Sequence, residues 1–255
     1  MGLFNTKVNK KRMFPISEIS QKTLHKNLDF TATEQYKLLR TNLAFTLPEN
    51  EKCPIIGVTS SMRGEGKSTT AVNLSYVLAE KGSRVLLIDG DLRIPSVAKK
   101  LEIDGSCGLT DMLMGNGHNI ENYKFDLLDS WYVLPSGDIP PNPSELLGSS
   151  RMEALLNELK EFFDYIVIDL PPVNIVSDAL SIAHLISGMI VVIRQDYTDK
   201  KELETCMRSL RFSNVNVLGC VMNDAKQSGG SYGKYKKYRY YKYSEEEFNL
   251  EDFDS

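Results

Sequence analysis

From Ile55 onward, short and almost wholly apolar runs alternate with longer segments whose apolar residues recur every three or four positions. The apolar runs are "IIGVTS", "RVLLID", "WYVLPSG", "YIVIDLPP", "GMIVVIRQ" and "VNVLGCVMN". A strand with one wet face alternates apolar and polar residues, whereas a run of continuous Val, Ile and Leu is covered on both faces, as in a parallel sheet. The intervening segments "KSTTAVNLSYVLAEKG", "NPSELLGSSRMEALLNELKEFF", "SDALSIAHLI" and "DKKELETCMRSLRF" predict helices. This order predicts an α/β domain: a mostly parallel central sheet with helices on both faces. Ahead of it, "TATEQYKLLRTNLAFTL" places Leu38, Leu39, Leu43 and Phe45 among charges and predicts an amphipathic helix over 31–47, with Thr31 or Thr33 as its cap. Residues 1–30 form a polar, basic lead-in. The pattern stops after Asn223, and 227–255 is expected to be a flexible tail with too little apolar content to fold alone. The expected folded domain is therefore 31–226.

Composition sharpens this picture. Hydrophobic residues make up 42% and charged residues 25% of the 255 residues, the range of globular domains. A net charge of -4 argues against a molecule built to bind nucleic acid. Cys53, Cys107, Cys206 and Cys220, with His25, His118 and His184, are scattered without metal spacing, which points to reduced, mostly packed thiols in a cytosolic protein. No apolar run reaches membrane length, and the basic N-terminus is not followed by the apolar region of a signal peptide. Gly2 and Thr6 fit a short myristoylation pattern that is weak on its own. The tail is the local exception in charge. Tyr232, Tyr235, Tyr238, Tyr240, Tyr241 and Tyr243 are interleaved there with Lys234, Lys236, Lys237, Arg239 and Lys242.

Candidate chemistry begins at "SSMRGEGKSTT", residues 60–70. The Walker A pattern G-x-x-x-x-G-K-S/T is met by Gly66, Lys67 and Ser68, with Ser61 in the first glycine position. A buried strand precedes it and a helix follows. This context predicts a P-loop NTPase, with Ser61, Met62, Arg63, Gly64, Glu65, Gly66, Lys67, Ser68 and Thr69 around a polyphosphate. Lys67 is expected at the β- and γ-phosphates, and the Ser68 hydroxyl on Mg2+. Two further strands end in carboxylates: "VLLIDGDLR" supplies Asp89, Asp91 and Arg93, and "YIVIDLPP" supplies Asp169. Ligands of open parallel sheets bind at the carboxyl ends of strands, so all three aspartates are expected to meet the phosphates.

These residues resemble a known family. Apolar residues followed by D-x-D-x-R at Asp89–Arg93, and by D-x-P at Asp169–Pro171, look like the Walker motifs of bacterial tyrosine kinases. "GLTDML", "LPSGDIPPNPSELL" and the tyrosine-rich C-terminus are similar to the same family. The resemblance covers about residues 31–243 and is nearest to the separate cytoplasmic kinases of capsule and exopolysaccharide export. It implies ATP and Mg2+, with Asp89 as the base, Lys67 and Asp91 as its catalytic companions, and Ser68, Asp91 and Asp169 around the metal. It also implies autophosphorylation between subunits on Tyr232, Tyr235, Tyr238, Tyr240, Tyr241 and Tyr243. Thr69 would lie near the α-phosphate, and Asn223 either contacts adenine or caps a helix. The implied partners are a membrane-bound polysaccharide co-polymerase that activates the kinase, a cognate tyrosine phosphatase and further copies of the chain. The expected location is cytoplasmic, at the inner face of the cell membrane through that partner. Ring assembly in the family uses E-x-x-R-x-x-R, and Glu34, Lys37 and Arg40 hold that spacing here. Lysine keeps the charge and loses the bidentate fork.

Other readings fit the same residues. A partitioning-type P-loop ATPase would carry a second lysine where Met62 stands. A small-molecule kinase would need a lid, and none is apparent. A nucleotide-gated scaffold of the exporter would bind ATP without transfer. Arg93 either steadies charge in the reaction or forms a plain ion pair. The tail has its own alternative as a basic-aromatic strip for an anionic partner.

Overall fold

In a computed structural model, residues 28–226 are described, apart from positions 29, 49, 117, 118 and 126. Helix α1 (Phe30–Thr46) is followed by β1 (Ile55–Ser60), α2 (Lys67–Glu80), β2 (Val85–Asp89), α3 (Val97–Leu101) and α4 (Leu109–Met114). A 3-10 turn at Ile120–Tyr123 leads to β3 (Trp131–Leu134), α5 (Pro143–Leu147), α6 (Ser150–Leu159) and β4 (Tyr165–Asp169). The chain continues through α7 (Asp178–Ser181), a 3-10 turn at Ala183–Leu185, β5 (Gly188–Arg194), α8 (Lys200–Phe212) and β6 (Val217–Asn223).

The six strands form one sheet in the order β3-β2-β4-β1-β5-β6, and every neighbouring pair is parallel. Strands β1 to β4 and most of β5 are buried on both faces, as their continuous apolar runs require. Alternate side chains enter two cores. Ile56, Val58, Leu87 and Val167 pack with α2, Leu43 of α1 and Val97 of α3. Ile55, Ile88, Ile168 and Val191 pack with α4, α6 and α8. The fold is thus the α/β P-loop architecture, with helices on both faces of a parallel sheet.

Three local expectations are corrected. Helix α1 begins at Phe30, so Thr31 and Thr33 lie within its first turn and neither is its cap. The run from Asn142 to Phe163 is two helices, because Gly148 ends α5 and the Ser149 hydroxyl accepts from the Met152 N–H to start α6. The segment "SDALSIAHLI" gives only one α-turn and a 3-10 turn. All four cysteines are free. Burial pushes the thiols of Cys53 and Cys206 up to about 12, Cys107 is half-buried, and Cys220 is exposed on β6. No helix among the described residues is long and apolar enough to cross a membrane.

Candidate active site

The sheet register sets the site. Val58 of β1 pairs with Asp169 of β4, and Asp169 pairs with Asp89 of β2. The carboxylates that end β2 and β4 therefore stand side by side, next to the loop that leaves β1. Lys67, the first residue of α2, places its Nζ 2.8 Å from Asp91 Oδ2 and 3.3 Å from Asp169 Oδ1. Burial pulls the Lys67 ammonium down, but Asp169 and Asp91 outweigh it and its pKa stands above the ordinary lysine value.

Asp89 is fully buried. Its Oδ2 accepts from the N–H groups of Ser96 and Val97 at 3.0 and 2.9 Å, at the start of α3. Its Oδ1 accepts a single long bond, 3.3 Å, from the Asp91 N–H. Desolvation, and then the charge of Asp169, push the Asp89 carboxyl up to about 7 against those hydrogen bonds. Desolvation also raises Asp169, with the Lys67 cation opposing it. Asp169 Oδ2 is buried without a hydrogen-bond partner. An unpaired buried carboxylate oxygen is costly unless something binds it. Here it lies in a group that also contains Ser68 and Asp91, hard oxygen donors of the kind that hold Mg2+. Among the described residues, no three His, Cys, Asp or Glu side chains cluster as a closed metal cage.

The loop itself is held by contacts that local spacing does not reveal. Gly64 and Gly66 have φ of 81° and 100°, the left-handed region that favours glycine. A Cβ on Gly66 would lie 2.0 Å from Asn223 Nδ2. Glu65 turns inward and is buried. Its carboxylate accepts from the Ser61 hydroxyl at 2.8 Å, the Met62 N–H at 2.8 Å and the Thr198 hydroxyl at 2.5 Å. This explains the serine in the first glycine position: its φ needs no glycine, and its hydroxyl ties the loop across to Glu65. The β5–α8 turn supplies the remaining ties. Tyr197 donates from its hydroxyl to the Arg63 carbonyl at 3.1 Å, and Arg194 donates to the Gly64 carbonyl at 3.3 Å.

Asn223, the last residue of β6, donates to the Glu65 carbonyl at 3.1 Å. The helix-cap alternative for Asn223 is therefore not what the structure shows. Arg93 forms a two-pronged pair with the buried Asp178 carboxylate, Nε to Oδ2 at 2.8 Å and Nη2 to Oδ1 at 3.0 Å, and the Ser144 hydroxyl donates to the same carboxylate. The ion-pair alternative for Arg93 is the one observed. Thr69 lies in the first turn of α2, where its carbonyl accepts from Asn73. On α1, Glu34 pairs with Lys37 at 2.9 Å, and Arg40 donates to the Val77 carbonyl of α2 at 2.6 Å. The tail tyrosines at 232, 235, 238, 240, 241 and 243 lie outside the described residues.

The comparisons with known proteins point the same way. A family model described as an AAA domain matches residues 53–211. The tyrosine-protein kinase YwqD of Bacillus subtilis is 36% identical over 196 residues, 77% of this chain and 82% of its own. The putative tyrosine-protein kinase CapB of Staphylococcus aureus is 32% identical over 207 residues, 81% and 90% of the two chains. The chain belongs to the bacterial tyrosine kinases of the capsule type. Solved structures of the family superpose well. The chimerical protein CapA2B2 matches with a TM-score of 0.75 at 29% identity, over 84% of this chain and 96% of that one. The kinase domain of the Escherichia coli tyrosine kinase ETK matches with a TM-score of 0.73 at 27% identity, over 89% and 88%. As a member of this family the chain is a protein-tyrosine kinase with a nucleotide-binding loop.

Proposed function

We propose that the site takes ATP with Mg2+ and transfers the γ-phosphoryl group to tyrosines of the C-terminal tail of another copy. The observation that carries this reading is the cluster of Lys67, Asp89, Asp91 and Asp169, with Asp169 Oδ2 unpartnered beside a left-handed glycine loop. The N–H groups of the loop and the start of α2 bind the polyphosphate, and Lys67 moves from its carboxylates to the β- and γ-phosphates. Ser68, Asp91 and Asp169 are the residues that would hold the metal. Mg2+, when bound, neutralises the charge shared between the β- and γ-phosphates. Asp89 Oδ1, with its single long bond, is the oxygen free to accept the phenol proton. Asn223, beside the loop carbonyl of Glu65, borders the nucleotide.

The acceptors are Tyr232, Tyr235, Tyr238, Tyr240, Tyr241 and Tyr243. The chain works at the inner face of the cell membrane with a polysaccharide co-polymerase as activator, and a tyrosine phosphatase reverses the modification. Glu34, Lys37 and Arg40 border the contact between copies. The test is incubation of Lys67→Met with Mg-ATP and the activator's cytoplasmic segment, followed by mass spectrometry of the tail. Phosphotyrosine is expected in the wild type and absent from the variant. Phosphate persisting on the variant's tail overturns the assignment. ATP hydrolysis without any phosphotyrosine in the wild type supports a partitioning-type ATPase instead.

A further inference from the structure

Six tyrosines lie outside the tail: Tyr36, Tyr76, Tyr123, Tyr132, Tyr165 and Tyr197. Tyr197 alone among them is exposed, at 55%, while the other five are buried or half-buried. It stands on the β5–α8 turn, and the guanidinium of Arg194 lies 5.2 Å from its ring centroid. Its hydroxyl donates to the Arg63 carbonyl inside the phosphate loop, and a Cβ on Gly64 would come within 3.0 Å of that hydroxyl. One phenol is thus both open to solvent and bonded to the loop that must accept a polyphosphate.

We propose that Tyr197 is a phosphoacceptor, modified by a second copy of this chain, and that a phosphate there closes the loop to nucleotide. The proposal rests on the tyrosine-kinase reading of the site. In the transfer, a bond forms between Tyr197 Oη and the γ-phosphorus, and the bond from that phosphorus to the β,γ-bridging oxygen breaks. ADP leaves, and the phenol proton passes to the carboxylate base of the donating copy. The modified oxygen carries no hydrogen, so the bond to the Arg63 carbonyl is lost. The new group brings about -1.5 to -2 charge to the side of Gly64. That charge opposes a polyphosphate binding the same loop. Arg194, which now donates to the Gly64 carbonyl, is the cation beside the ring and is drawn to the phosphate, which releases a second tie of the loop. Phosphorylation in trans therefore slows the copy that receives it.

The test uses the full chain with Mg-ATP and the activator's cytoplasmic segment. Phosphate is expected on the Tyr197 peptide as well as on the tail. The fraction modified at Tyr197 is expected to bind a fluorescent ADP analogue at least about tenfold more weakly. A Tyr197 peptide without phosphate overturns the proposal, and the tail in the same digest tells whether the kinase reading falls with it. Tyr197→Phe loses only a neutral hydrogen bond and is expected to bind the analogue within about fivefold of wild type. Tyr197→Glu is expected to weaken binding by at least about tenfold at low salt, with the gap narrowing as salt screens the charge. Equal affinity of the two variants, or of the modified and unmodified native chain, overturns the charge mechanism.

Discussion

Asp89 and Glu65 are both buried loop-edge carboxyls, yet they answer to different physics. Asp89 faces Asp169 across one register step, and burial with that neighbour pushes it up to about 7. A base must be ionised to accept a phenol proton, so, with Asp89 as the proposed base, kcat/KM of the free enzyme is expected to rise with pH through an apparent value near 7. The sign for stability is opposite. A carboxyl raised in the folded state holds its proton where the unfolded chain has lost it, so folding loses stability as pH rises from about 4 towards about 7. Denaturant unfolding at several pH values checks this: Asp89→Asn is expected to flatten the slope, and an unchanged slope counts against the assignment. Glu65 matters through the segments it ties, since its three donors come from Ser61, Met62 and the distant Thr198. Glu65→Ala leaves the Met62 N–H and two hydroxyls short of a partner and is expected to cost roughly 2–3 kcal/mol, with a higher KM for ATP. Thermal melts and steady-state kinetics read both effects. Lys67, Ser68 and the three aspartates were legible in the sequence, because a strand followed by a glycine-rich turn, or by D-x-D, is a local pattern. The Glu65–Thr198 bond was not, since its partners lie 133 residues apart and only the fold brings them together. Tyr197 and Arg194 are hidden for the same reason.

At the scale of elements, α1 shows where the charges of a single motif go. Its hydrophobic pattern announced a helix, and Leu43 does enter the core. What the pattern could not show is where the charged residues go. Arg40 reaches the Val77 carbonyl, one of the last four of α2 (Lys67–Glu80), which lack helical partners. A cation at that end also offsets the negative pole of the helix. Arg40→Ala is therefore expected to destabilise the isolated chain by about 1–2 kcal/mol, lowering Tm by a few degrees. A variant that melts with the wild type would overturn this stabilising role of Arg40. Helix ends were the least legible features. The break at Gly148–Ser149 separates α5 from α6 inside one amphipathic stretch, because Ser149 both donates to the Leu146 carbonyl and accepts from the Met152 N–H. Periodicity ran through the break, whereas the hydrogen bonds did not.

For the whole molecule, the six apolar runs specified a parallel sheet because each is covered on both faces, but they did not specify its order. That order places β1 between β4 and β5 and thereby sets the loop, Asp169 and Asp89 side by side. On the proposed reading the tail acts at this same scale through charge. The segment 232–243 carries five cations, six tyrosines and no acids. Six phosphates would add about -9 to -12 and take the segment from positive to clearly negative. The adjoining Glu245, Glu246 and Glu247 would then repel a strip they attract before modification. On the proposed reading, an unmodified strip suits the aspartates at 89, 91 and 169 of a neighbouring copy, and a modified one is driven from them. Mg-ATP is therefore expected to convert the assembled wild-type chain to smaller species, read by light scattering after size exclusion. A chain with all six tail tyrosines changed to Phe is expected to stay assembled under the same conditions. If that chain dissociates as the wild type does, nucleotide turnover rather than tail charge loosens the assembly.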